Sequence, residues 1–142
     1  MCIMKVPVSE STTPATVEET KSAKVFVVDD EPMLLELAAL ILRPMGFEVR
    51  TFRDPETALK EFTEVLPDLV ITDYAMGRMS GMDLIRECRR IRPAQKMILI
   101  SGTVDEYVFA DALFRPDRFI SKPYQFSEFS SCIRQLLAEK KT

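Results

Sequence analysis

The feature that most constrains this chain is a repeated change of period. Five short runs rich in apolar residues, at 25–28, 47–52, 69–72, 97–100 and 118–121, are each followed by turn residues and then by a stretch with helical spacing. The runs VFVV and LVIT are apolar or β-branched throughout. That is expected of a strand buried on both faces in a parallel sheet rather than of an alternating, half-wet strand. Between the runs, apolar residues recur three and four apart. Leu34, Leu35, Ala38, Ile41 and Leu42 form one such face, and Ala58, Leu59, Phe62 and Val65 a second. Met82, Leu84, Ile85 and Cys88 form a third, and Phe129, Cys132, Ile133, Leu136 and Leu137 another near the C-terminus.

Proline and glycine punctuate this pattern where helices should start and stop. Pro32 stands in a first turn, where a missing N–H costs nothing. Asp54-Pro55 reads as an N-cap followed by proline at the first helical position. Pro44-Met45-Gly46 and Leu66-Pro67-Asp68 end the first two helices, and Pro93 follows the third. A fourth helix is expected over about 104–114. The five βα units between 24 and 139 predict an α/β fold, a doubly wound five-stranded parallel sheet with helices on both faces. The flavodoxin-like order 2-1-3-4-5 is the usual solution at this size. Residues 1–23 mix Ser, Thr, Pro and Glu with little periodic apolar content. They read as a flexible tail ahead of one domain at 24–140.

In an open parallel sheet the chemistry collects outside the carboxyl ends of the strands. The first strand ends at Asp29-Asp30, the third at Asp73, the fourth at Ser101 and the fifth at Lys122. The second strand has no such group at its end. Strands one and three flank the switch point, so their acids should face one another there. Carboxylates crowded together repel, and either a proton or a cation must relieve them. An all-oxygen donor set suits Mg²⁺ (or Mn²⁺), and a carboxylate can attack phosphorus to give an aspartyl phosphate. Taken singly, each element has a plainer meaning: an N-cap for Asp29-Asp30, a loop start for Asp73, a turn for Ser101-Gly102, a solvated loop for Lys122-Pro123. Their joint placement at strand ends is what points to a site.

At these residues the sequence resembles the response-regulator receiver family of two-component signalling. VFVVDDEP is similar to that family's first strand and acidic pair. DLVITDYAMGRMSGMDLI is similar to its phosphoacceptor strand and loop, ILISG to its fourth strand and FISKPY to its fifth. The resemblance runs from Lys24 to about Lys140 and implies a set of roles. Asp73 would accept the phosphoryl group. Asp30, Asp73 and the Ala75 backbone carbonyl would hold the metal directly, and Asp29 through a water. Ser101 and Lys122 would contact the phosphoryl group, and Phe119 would be the aromatic switch. The Lys122-Pro123 bond would be cis. The donor would be a phosphohistidine on a sensor histidine kinase or a histidine phosphotransfer protein. The output would be a downstream protein target or a homodimer, through the face made by the fourth helix, fifth strand and fifth helix. The domain would be a signalling switch, not an enzyme beyond catalysing its own phosphorylation and dephosphorylation.

The chain departs from the family pattern in three places. Gly77 stands where proline is usual, which suggests a more mobile loop. Phe114-Arg115-Pro116-Asp117 replaces a small-residue turn before strand five, and Ala75 offers no polar side chain two residues after Asp73. Two rival classes remain. A phosphohydrolase would want a DxD motif after strand one and a general acid two residues beyond Asp73. A flavodoxin-type cofactor binder would want a Ser/Thr/Gly-rich phosphate loop in place of the acids. The net charge of −3 argues against a direct nucleic-acid face, and no apolar run is long enough to span a membrane. Three widely spaced cysteines and no histidine make a disulfide framework or zinc site a poor fit, and reduced thiols point to a cytoplasmic location.

Overall fold

A computed structural model describes residues 22–102 and 114–139. It has five parallel strands: β1 Lys24–Val28, β2 Glu48–Phe52, β3 Leu69–Asp73, β4 Lys96–Ser101 and β5 Arg118–Ser121, in the order β2-β1-β3-β4-β5. The helices are α1 Pro32–Leu42, α2 Pro55–Val65, α3 Gly81–Ile91 and a C-terminal helix Phe126–Ala138. A short 3-10 turn, Arg43–Met45, extends α1 and ends at Gly46 with φ 98°. The helix expected over 104–114 falls almost wholly outside the described residues, as do the first 21 residues.

Side chains alternate across each strand, so the sheet divides the core in two. Val25, Val27, Leu69, Ile71, Ile98 and Ile120 face α1 and the C-terminal helix, with Leu42, Phe129 and Ile133 between them. Phe26, Val28, Val70, Met97 and Leu99 face the other way onto α2 and α3, meeting Phe62, Leu84 and Ile85. Both faces of β1 and β3 are therefore dry, and their near-continuous apolar runs follow from that. β2 lies at an edge, and only Val49 and Phe52 of its five residues are buried.

The helix ends follow local chemistry. Asp54 accepts the Thr57 N–H at 3.0 Å with Pro55 at the first helical position. Ser80 and Asp83 form a reciprocal capping box at the start of α3. α1 differs from the expectation of an acidic cap. Its N-cap residue is Glu31, which makes no side-chain cap, and Asp29 instead accepts the Glu31 N–H at 3.0 Å. The buried face of α1 is also shifted: Ala39 joins Leu35, Ala38 and Leu42 inside, while Leu34 and Ile41 are half-buried. Met33, Leu37 and Leu40 stand exposed on the opposite side.

Candidate functional site

The order β2-β1-β3 sets the carboxyl ends of β1 and β3 side by side. Val28 pairs with Thr72, so the next residues along, Asp29 and Asp73, emerge together. Each is 7–8 % exposed, whereas Asp30 is open to solvent. One carboxylate oxygen from each of Asp29, Asp30 and Asp73 lies within 4.8 Å of the others. β5 reaches the same end of the sheet two strands away, and the Lys122 side chain bridges the gap. Its Nζ is 2.9 Å from Asp73 Oδ1, 3.6 Å from Asp29 Oδ2 and 3.9 Å from Glu31 Oε1. The Lys122 N–H donates to the Ser101 carbonyl at 2.9 Å, and the Lys122-Pro123 bond is cis. Ser101, at the end of β4, is buried, and Phe119 is half-buried against the α2–α3 side of the core.

The electrostatics reflect this crowding. Burial, above all, pushes the Asp29 carboxyl up to about 6. The Glu31 N–H and Lys122 oppose the shift, and Asp73 and Asp30 add to it. Partial burial disfavours the Lys122 ammonium, but its hydrogen bond to Asp73 and the charges of Asp29, Asp73 and Glu31 outweigh that and raise its pKa. One ammonium among so many acids leaves the cluster short of positive charge. Hard oxygen donors at this spacing fit a small divalent cation.

Tight backbone packing positions the β3–α3 loop. A methyl on Gly81 would land on the Asp73 carbonyl and on Leu99, so only glycine lets α3 start this close to β3. Gly77 adopts φ 80°, a left-handed conformation closed to proline. Met76 is buried with its sulfur 3.7 Å from the Thr72 hydroxyl, and Ala75 is exposed. Gly81→Ala is expected to destabilise the domain by about 1–3 kcal/mol through overpacking. Urea titration checks this, and an unchanged midpoint would show that α3 can move away from β3 freely.

All the expected site residues in the described region therefore gather at one end of the sheet, with Phe119 set back on β5. Sequence reasoning missed Glu31 as a neighbour of Lys122. Its adjacency to Asp29-Asp30 was the available signal, masked by its place at a helix start.

An open parallel sheet with an acidic, lysine-bridged cluster at its switch point defines a class of phosphoryl-handling α/β domain. Residues 25–134 match the response regulator receiver domain. The chain belongs to that family and is a receiver domain of two-component signal transduction, a signalling switch. It is 30% identical over 115 residues to a probable transcriptional regulatory protein, TcrX, of Mycobacterium tuberculosis, covering 80% of this chain and 49% of that protein. It is 29% identical to the DNA-binding response regulator MtrA of Mycolicibacterium smegmatis, covering 84% of this chain and 52% of that one. The chain thus spans about half the length of these relatives. A receiver domain from Clostridium thermocellum superposes with a TM-score of 0.75 at 32% identity, over 81% of this chain and 94% of that one. Among the described residues no helix is long and apolar enough to cross a membrane.

Proposed function

We propose that Asp73 is the phosphoacceptor and that the donor is a phosphohistidine on a sensor kinase or phosphotransfer protein. The observation that carries this reading is the 2.9 Å contact of Lys122 Nζ with Asp73 Oδ1 inside a three-carboxylate cluster. A carboxylate oxygen of Asp73 forms the new P–O bond as the P–N bond to the donor imidazole breaks. The imidazole nitrogen keeps the electron pair and takes up a proton. Lys122 then transfers its hydrogen bond from the carboxylate to a phosphoryl oxygen, and the Ser101 hydroxyl donates to another. Asp30, Asp73 and the Ala75 carbonyl, with Asp29 through water, would hold Mg²⁺ or Mn²⁺, which neutralises charge on the phosphoryl oxygens. The domain turns over only its own phosphoryl group and is otherwise not an enzyme. Its partners are the donor protein and a downstream protein, or a second copy meeting it through the face built on β5 and the C-terminal helix. No nucleic acid or membrane contact is part of this reading, and it places the domain in the cytoplasm. The domain would span 24–140, with residues 1–23 ahead of it.

The test is incubation with a small acyl phosphate and Mg²⁺, with the adduct located by mass spectrometry. A phosphoryl group on Asp73 is expected, and its absence or placement elsewhere overturns the reading. Two further results are expected. Asp30→Ala removes both a charge and an oxygen donor and should weaken Mg²⁺ binding by roughly tenfold or more, read by calorimetry. Unchanged affinity would remove Asp30 from the metal site. Phosphorylation should also draw Ser101 inward and let Phe119 turn into the space it leaves, so that their mutational effects fail to add. Structures with and without a beryllofluoride mimic check this. A fixed Ser101 and an unchanged Phe119 χ1 would rule out this switching route.

A further inference from the structure

The C-terminal helix, like α1, starts without a side-chain cap. α2 and α3 carry side-chain caps, from Asp54 and from the Ser80–Asp83 box, but Gln125 caps nothing. An aromatic pair stands in the place of a cap. Tyr124 precedes the N-cap residue and Phe129 is the fourth residue of the helix, the two positions that a hydrophobic staple joins. Their rings stack with centroids 4.8 Å apart and planes 20° from parallel. Phe129 is fully buried, among the residues that line the α1 side of the sheet. The staple therefore ties Tyr124 to the fixed interior.

Tyr124 lies two residues after Lys122, which gives the staple a consequence at the site. On one side, Lys122 is held by its N–H bond to the Ser101 carbonyl at the end of the sheet. On the other, the chain runs through Pro123 directly into the stapled Tyr124. The ammonium itself has three acidic neighbours, at 2.9, 3.6 and 3.9 Å. With several acceptors so close in distance, the direction of the backbone decides which one the side chain favours. Tyr124 also senses the same charges: burial raises its hydroxyl pKa, with Lys122 opposing and Asp29 adding.

We propose that Tyr124 is a positioning residue for Lys122: its stack on Phe129 fixes the start of the C-terminal helix and thereby aims the lysine at Asp73. This rests on Asp73 being the phosphoacceptor and adds how the site is kept in register with the helix. Occupancy of the site and the orientation of the C-terminal helix are then linked through one aromatic contact, separate from any movement of Phe119.

The experiment compares initial rates of acyl-phosphate formation from a small acyl phosphate, together with Mg²⁺ affinity. Tyr124→Ala should slow phosphorylation roughly tenfold, as expected for a misaimed group. Mg²⁺ affinity should stay within about twofold, since the ammonium is not a metal ligand. Tyr124→Phe, which keeps the stack, should restore the rate. In a Lys122→Ala background, Tyr124→Ala should have no further effect, because its action passes through the lysine. A wild-type rate in Tyr124→Ala, or an effect that adds in full to that of Lys122→Ala, overturns the proposal. If Tyr124→Ala does not fold, Phe129→Leu disturbs the stack from its other end. Slower phosphorylation there supports the proposal and an unchanged rate overturns it. A wild-type chain that takes up no phosphoryl group overturns the phosphoacceptor reading and this inference with it, whereas phosphorylation indifferent to the stack overturns the inference alone.

Discussion

Asp73→Asn is expected to abolish acyl-phosphate formation while leaving the domain folded. The amide has the shape of the carboxylate and its oxygen can still accept from Lys122, but it is not a nucleophile toward phosphorus. Asp73 is 8 % exposed and sits against Asp29 and Asp30, so loss of its charge also relieves repulsion. The change in stability should therefore be small, within about 1 kcal/mol, the scale of one hydrogen bond. Intact-mass measurement after exposure to a small acyl phosphate and Mg²⁺ should show the adduct in the wild type and none in Asp73→Asn. An adduct of the same stoichiometry in the variant would move the phosphoacceptor elsewhere in the chain.

The second large effect lies at the segment before β5, where Phe114-Arg115-Pro116-Asp117 departs from the family pattern. Arg89 of α3 is the anchor there. Its guanidinium contacts Asp117 Oδ2 at 2.7 Å, the Gln95 carbonyl at 3.1 Å and the Arg115 carbonyl. Asp117 in turn accepts the Met97 N–H at 2.8 Å and donates its own N–H to the Met97 carbonyl at 2.9 Å. The two side chains are only 13% and 16% exposed. Arg89→Met takes the guanidinium away from a largely buried carboxylate and strips the Gln95 and Arg115 carbonyls of a donor. A cost of about 3 kcal/mol follows, the low end for breaking a buried pair because neither group is wholly dry. For a domain of this size that is a fall in melting temperature on the order of 10 °C. Replacing both members, as Arg89→Met with Asp117→Leu, should recover part of the loss, since no charge is then left stranded. A melting temperature for Arg89→Met within a degree or two of the wild type would show that Asp117 is solvated well enough without its partner.

These two sites differ in how much of them could be read from the chain alone. Asp73 was legible because it ends an apolar run, and a residue at that place in a parallel sheet has few destinations. The Arg89–Asp117 anchor was not. Arg89 lies in the charged stretch RECRRIR, where nothing distinguishes the guanidinium that pairs with Asp117 from those of Arg86 and Arg92, which are half-buried on other partners. The same holds for the Tyr124–Phe129 staple, since Phe129 reads simply as part of a buried helix face and nothing in the sequence pairs Tyr124 with it.

The number of strands, their alternation with helices along the chain, the places where helices start and stop, and the set of polar groups at strand ends could all be read from the sequence. Each of these depends on residues a few positions apart: alternation along a strand, recurrence every three or four along a helix, proline and glycine at the boundaries. Tertiary structure alone decided distances and partners. It set Lys122 nearest to Asp73, at 2.9 Å, with Asp29 and Glu31 farther off at 3.6 and 3.9 Å, put Asp29 inside and Asp30 outside, and shifted the buried stripe of α1 onto Ala39. It also made Gly81 obligatory, through a contact with the backbone of β3. The physical reason is that local periodicity acts along the chain, whereas these choices depend on which groups from distant segments compete for one small volume. That competition exists only once β1 and β3 have paired and the remaining elements have closed over them.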